Sequence, residues 1–125
     1  HTSDQIRMLY AESLTNAGEA LSAIAEYEKI GEGHGELAGR ALLASADLYD
    51  AAGRRSEGLI GYYKVLAVYE SDTGTDLAAE ALFRISNVYD KTGDTEKSRN
   101  AAADLMNKYP NSRGARELAA RAAGQ

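Results

Sequence analysis

Apolar and small positions recur along this chain with helical spacing, and they do so three times in step. Three glycines, Gly18, Gly53 and Gly93, each close a stretch whose last large residue is Leu14, Tyr49 or Tyr89, and each precedes another apolar-periodic stretch. Glycine is favoured where a helix ends in a left-handed turn. Counted from these glycines, a small residue stands seven before (Ala11, Ala46, Ser86) and five after (Ala23, Gly58, Ser98). Nine after comes Tyr27, Tyr62 or Ala102, and twelve after comes Ile30, Val65 or Leu105. Offsets of three and four put these sites on one helix face. Small residues at both inner places let the two helices of a hairpin approach closely. The pattern predicts seven helices, over 3–16, 20–31, 36–51, 55–70, 77–91, 95–108 and 113–123, and no strands, since no stretch alternates with period two.

Punctuation supports these limits. Thr2 and Gln5 have capping-box spacing, which starts the first helix near Ser3. Pro110 stops the sixth helix, and Asn111-Ser112 can cap a further, Ala-rich one. The hairpins form units at about 4–35, 39–75 and 79–112, followed by a terminal helix at 113–123, all within one domain spanning 1–125.

The repeat resembles the tetratricopeptide repeat, a helix–turn–helix unit of about 34 residues. The third unit carries the resemblance best, in Ala81-Leu82-Phe83-Arg84-Ile85-Ser86-Asn87-Val88-Tyr89-Asp90-Lys91-Thr92-Gly93-Asp94 and the ending Tyr109-Pro110-Asn111-Ser112. Gly18 to Ile30 in the first unit is similar. Unit one departs most, with Arg7 where a bulky aromatic is usual. The long connections at 31–35 and 71–75, with that ending, resemble the subgroup found in bacterial cell-envelope proteins, such as outer-membrane assembly lipoproteins and the Tol-Pal-associated coordinator. The resemblance implies an all-α superhelix of about three hairpins with a C-terminal capping helix.

It also implies that the first helix of each unit lines a concave groove. Unit one would supply Gln5, Met8, Leu9 and Glu12. Unit two would supply Arg40, Leu43, Ala44, Asp47 and Asp50, and unit three Glu80, Phe83, Arg84, Asn87, Asp90 and Lys91. Apolar anchors mixed with acidic groups suit an extended or helical peptide. Core packing between neighbouring first helices is the competing reading for Met8, Leu43 and Phe83, and plain solvation for the acids. The carboxylate clamp of chaperone-binding members is missing, because Met8, Glu12 and Ala44 occupy its Lys and Asn positions. A ligand of basic or neutral character follows.

Composition narrows the classes further. The 125 residues include no Cys, no Trp, one Pro, two His and 23 Ala. No thiol chemistry or disulfide framework is possible. The longest apolar run, Leu59 to Tyr69, is too short for a bilayer and contains Lys64. The net charge is −5, split as −8 over residues 1–83 and +3 over 84–125. So acidic a chain is a poor nucleic-acid binder, and Arg113, Arg116 and Arg121 read as a solvated helix face. Gly31 to Glu36 reads as a linker, since no strand precedes it to make a phosphate loop. His34 between Glu32 and Glu36 is too poor a ligand set for a metal, and His1 stands at the terminus. Asp47 and Asp50 on an open groove lack the burial that acid–base chemistry needs. No catalytic residue, metal or cofactor is expected. Of the eight tyrosines, Tyr63 is expected to be exposed and the others core.

These readings give a protein–protein scaffold or adaptor, with a homo-oligomer as one possibility. The alternatives are a glycan-binding envelope domain using Tyr63, an enzyme-associated domain or a self-association module. The start has no basic region followed by an apolar core and no initiator Met, so any targeting segment would lie outside this chain. A soluble, periplasmic or cell-envelope setting follows only from the resemblance.

Overall fold

The computed structural model describes residues 2–124, with side chains from residue 3 onward. The capping role expected of Thr2 and the reading of His1 lie outside the described residues. Seven helices are present: α1 (Thr2–Asn16), α2 (Ala20–Gly31), α3 (Glu36–Ala51), α4 (Arg55–Tyr69), α5 (Leu77–Thr92), α6 (Thr95–Lys108) and α7 (Arg113–Ala123). Every boundary lies within one residue of its sequence expectation, and no strand occurs among the described residues. The fold class is all-α.

The three marker glycines act alike. Gly18, Gly53 and Gly93 all have φ +81°. At each, the next N–H bonds back to the last large residue of the helix: Glu19 to Leu14 at 2.8 Å, Arg54 to Tyr49 at 2.9 Å and Asp94 to Tyr89 at 2.9 Å. The glycine N–H bonds to the carbonyl of Thr15, Asp50 or Asp90. This is the Schellman arrangement, which satisfies terminal carbonyls at the cost of one left-handed residue.

Two compact units divide the chain, His1–Gly61 and Tyr62–Gln125, with the division inside α4. In the first unit, Ala11, Ala23, Tyr27, Ile30 and Ala41 form the core, with Met8, Leu14, Leu37, Ala44 and Leu48 packed around them. Ala46 and Gly58 stand where the register predicts close approach, and Gly61, which the register did not single out, joins them. A Cβ built on Gly61 would lie 2.7 Å from the Ala46 Cβ, and one on Gly58 would lie 3.1 Å from the Ala46 carbonyl oxygen. Only glycine lets α4 approach α3 this closely.

In the second unit, Ala79, Leu82, Phe83, Leu105 and Ala115 form the core, joined by Leu66, Tyr109 and Leu118. Here the small-residue contact carries a hydrogen bond, with Ser98 Oγ donating to the Ser86 carbonyl at 3.1 Å. Asp94 caps α6 by accepting from the Lys97 N–H. Ser112 caps α7 as expected, accepting from the Ala115 N–H at 3.2 Å.

Tyr10 corrects the sequence reading. It was expected in the core, yet it is 54% exposed, more than Tyr63 at 45%. It lies on a largely exposed face of α1 with Ile6 and Arg7, bordered by Glu26 of α2, whereas Tyr27 and Tyr62 lie at the inner position nine after a marker glycine and are buried.

Candidate protein-docking site

The expected groove residues fall on both units. In the first, Met8 is half-buried against the core, and Leu43 is buried. Glu12 is exposed. Arg40 pairs with Glu36 at 2.9 Å. Asp47 and Asp50 are half-buried, with an Asp50 carboxylate oxygen 3.9 Å from Arg55 Nε.

In the second unit the structure brings most of the α5 set together, and α7 is what gathers it. Glu80, Phe83, Arg84, Asn87 and Asp90 follow one another at intervals of three, one, three and three along α5, so they share a broad face. The Ser112 cap starts α7 against this face. Gly114 sits so close to Phe83 that a Cβ there would come within 2.8 Å of the ring's Cγ. The ring is 5% exposed. The guanidinium groups of Arg113 and Arg121 lie 5.1 and 5.4 Å from its centroid, a stabilising placement of cations against an aromatic ring.

The same arginines reach polar partners on α5. Arg113 grips the Glu80 carboxylate from two nitrogens, Nη2 to Oε1 at 2.8 Å and Nε to Oε2 at 3.2 Å. Arg84 adds a third bond to Glu80 Oε1 at 2.7 Å. Burial alone would push the Glu80 carboxyl up, but the bonds from Arg113 and then Arg84 outweigh it and hold it below the usual carboxylate range. Arg121 Nη1 donates to Asn87 Oδ1 at 3.0 Å. The expectation of a merely solvated arginine face is therefore corrected for Arg113 and Arg121. Each keeps about half of its side chain in solvent while binding residues more than thirty positions away.

Residues of α5, α6 and α7 together line an open cleft of about 420 Å³. Ala102 and Met106 of α6 and Leu118 of α7 give it an apolar floor, while Asn87, Arg99 and Arg121 bring polar groups to it. Asp90 also borders it. Met106 is among the large apolar residues exposed to solvent. Sequence reasoning singled out Asn87 and Asp90 but missed Met106, Leu118 and Arg121. The spacing of Arg113 and Arg121, eight residues or about two turns apart, was the available signal that both lie on one face of α7.

A second cleft, of about 390 Å³, holds Tyr63 and Tyr89 with their hydroxyls 3.1 Å apart. Burial, then the bond to Tyr89, pushes the Tyr63 phenol up to about 12. Lys97 lies 5.5 Å from the Tyr89 ring centre.

Among the described residues, no group of three or more His, Asp or Glu side chains is placed to hold a metal ion. No helix among them is long and apolar enough to cross a membrane. No curated protein and no solved structure matches the chain. Residues 80–112, about a quarter of the sequence, match the family model of the tetratricopeptide repeat, whose members generally mediate protein–protein interaction.

Proposed function

We propose that this chain is a protein-interaction module whose second unit docks a segment of a partner protein in the cleft between α5, α6 and α7. The observation that carries the reading is the composition of that cleft. An apolar floor of Ala102, Met106 and Leu118 lies beside Asn87, Asp90, Arg99 and Arg121. Apolar contacts supply affinity and convergent polar groups fix register, as in peptide-binding grooves generally. The α7 contacts fix the arginine side of the cleft before any partner arrives, which reduces the entropy lost on docking.

In the first unit, Glu12 and Asp47 add acidic surface, which suits basic segments of a partner. Leu43 in the first unit and Phe83 in the second are buried, so both serve packing within their own units. The long connections and the Tyr109-Pro110-Asn111-Ser112 ending favour a cell-envelope setting for this activity.

A displayed library of short helical and extended peptides, selected on the full chain, supplies the test. Fluorescence anisotropy of a selected peptide should show binding that Met106→Glu weakens at least tenfold, about 1.4 kcal/mol, with Asn87→Ala weakening it by a smaller factor. Lys64→Glu, remote from the cleft lining, should leave it unchanged. Selected peptides indifferent to Met106→Glu and Asn87→Ala would sink the reading.

A further inference from the structure

We propose that Tyr63 and Tyr89 form an oxidative cross-linking site, at which a one-electron oxidant, a haem peroxidase supplied with hydrogen peroxide, joins the two rings and staples α4 to α5. The inference is independent of the docking cleft.

Geometry carries it. The two phenols stand on different helices, 26 positions apart, yet their hydroxyl oxygens lie 3.1 Å from one another. Both belong to the second unit. When a phenol is oxidised, the unpaired electron is shared between its oxygen and the ring carbons ortho to it, two bonds away. The atoms that couple therefore start side by side. Tyr63 is 45% exposed, so an external oxidant reaches it and its ring has room to turn. Tyr89 is half-buried, and the Lys97 ammonium lies 5.5 Å from its ring centre, so an oxidant meets Tyr63 first.

The hydrogen bond sets the order of events. The oxidant takes an electron from Tyr63, and the phenolic proton leaves to solvent. Tyr89 then passes an electron and its phenolic proton across the bond, which restores the Tyr63 phenol and moves the radical to Tyr89. A second one-electron oxidation of Tyr63, again with loss of its proton, completes the pair of radicals. One ortho carbon of each ring joins the other, and the hydrogen on each of those carbons moves to its own oxygen, which restores both phenols. The chain loses two electrons and two protons in all, and these reduce one hydrogen peroxide to two waters.

Composition and kinetics favour this pair. The chain has no Cys and no Trp, the side chains that would otherwise compete to give up an electron. Tyr27, Tyr62 and Tyr69 are buried. At about 10 μM protein, one chain meets another no faster than about once in 10 μs even at the diffusion limit. Exposed side chains change rotamer in picoseconds to nanoseconds, so coupling within the chain outruns coupling between chains. The product closes a loop between α4 and α5, as a disulfide would, in a chain that can form no disulfide.

Oxidation of the full chain at about 10 μM, with a haem peroxidase and one equivalent of hydrogen peroxide, provides the test. The chain should stay monomeric on a denaturing gel, lose the mass of two hydrogens and gain dityrosine fluorescence. Trypsin should then release Ser56–Lys64 joined to Ile85–Lys91. Oxidised Met adds the mass of an oxygen and is told apart by that. Tyr63→Phe and Tyr89→Phe, which keep the ring and the packing, should each lower the joined pair at least about tenfold, as should oxidation of the parent chain in urea, since both remove the proximity. Tyr10→Phe, which removes another exposed phenol, should leave the pair unchanged. Cross-links that fall mainly between chains would overturn the proposal. So would a joined pair that forms equally well in urea, or one that survives Tyr63→Phe.

Discussion

Moving one methyl group across the α3–α4 hairpin probes how closely these helices approach. In Gly61→Ala, the new Cβ would stand 2.7 Å from the Ala46 Cβ, where carbon atoms prefer about 3.5–4.0 Å. Ala46 is fully packed, so the helices must part by roughly 1 Å. Overpacking of this kind costs about 1–3 kcal/mol, against about 1 kcal/mol gained from the helix propensity of Ala over Gly. The net expectation is a loss of about 0–2 kcal/mol. Ala46→Gly loses about 1 kcal/mol of propensity and about 0.8 kcal/mol for the buried methyl. In the double variant the clash disappears and the propensity terms cancel, so stability should return to within about 1 kcal/mol of the parent. The coupling between the two sites is then about 2–4 kcal/mol in favour of the pair, well beyond the few tenths expected of independent sites. Urea unfolding followed at 222 nm measures all four corners of the cycle. Additive effects would refute the close approach and the role assigned to the small residues.

Three further outcomes follow. Gly93→Ala forces a side chain into a left-handed cap at φ +81° and should cost about 1–2 kcal/mol in the same unfolding assay; a neutral result would contradict the capping account. Glu80→Gln should destabilise by about 1–2 kcal/mol near neutral pH, because Arg113 and Arg84 lose a charged acceptor. The Glu80 carboxyl is held below its ordinary 4.5 in the fold, so this stabilisation is complete above that ordinary value and vanishes as pH falls through the lower folded value; a difference constant down to strongly acidic pH would contradict the sign. Tyr89→Phe should lower the Tyr63 ionisation from about 12 in an ultraviolet titration, with Tyr63→Phe identifying that step; an unmoved step would show that the 3.1 Å contact does not act on it.

The sequence was most informative where local chemistry decides the structure. Glycines needing a left-handed turn, Pro110 and Ser112 mark helix ends, and each acts within a few residues of itself. The inner small residues were equally legible, because close helix approach at Ala46, Gly58 and Ser86 favours small side chains. Contacts closed over long sequence distance were not legible. Nothing near Arg113 announces Glu80, thirty-three positions earlier, and nothing near Arg121 announces Asn87. Without those pairs, the way α7 covers Phe83 stays hidden, and so does the cleft beyond it. Tyr10 failed for a related reason. Its helical spacing is that of a core residue, but spacing shows which face a residue shares and not whether another element arrives to cover that face.

The central claim, that the α5–α6–α7 cleft docks protein, is tested most directly by amide chemical-shift mapping with a selected peptide. The account predicts shifts concentrated at Asn87, Arg99, Met106, Leu118 and Arg121, saturating with peptide concentration. Saturable binding whose shifts lie away from those residues would contradict it.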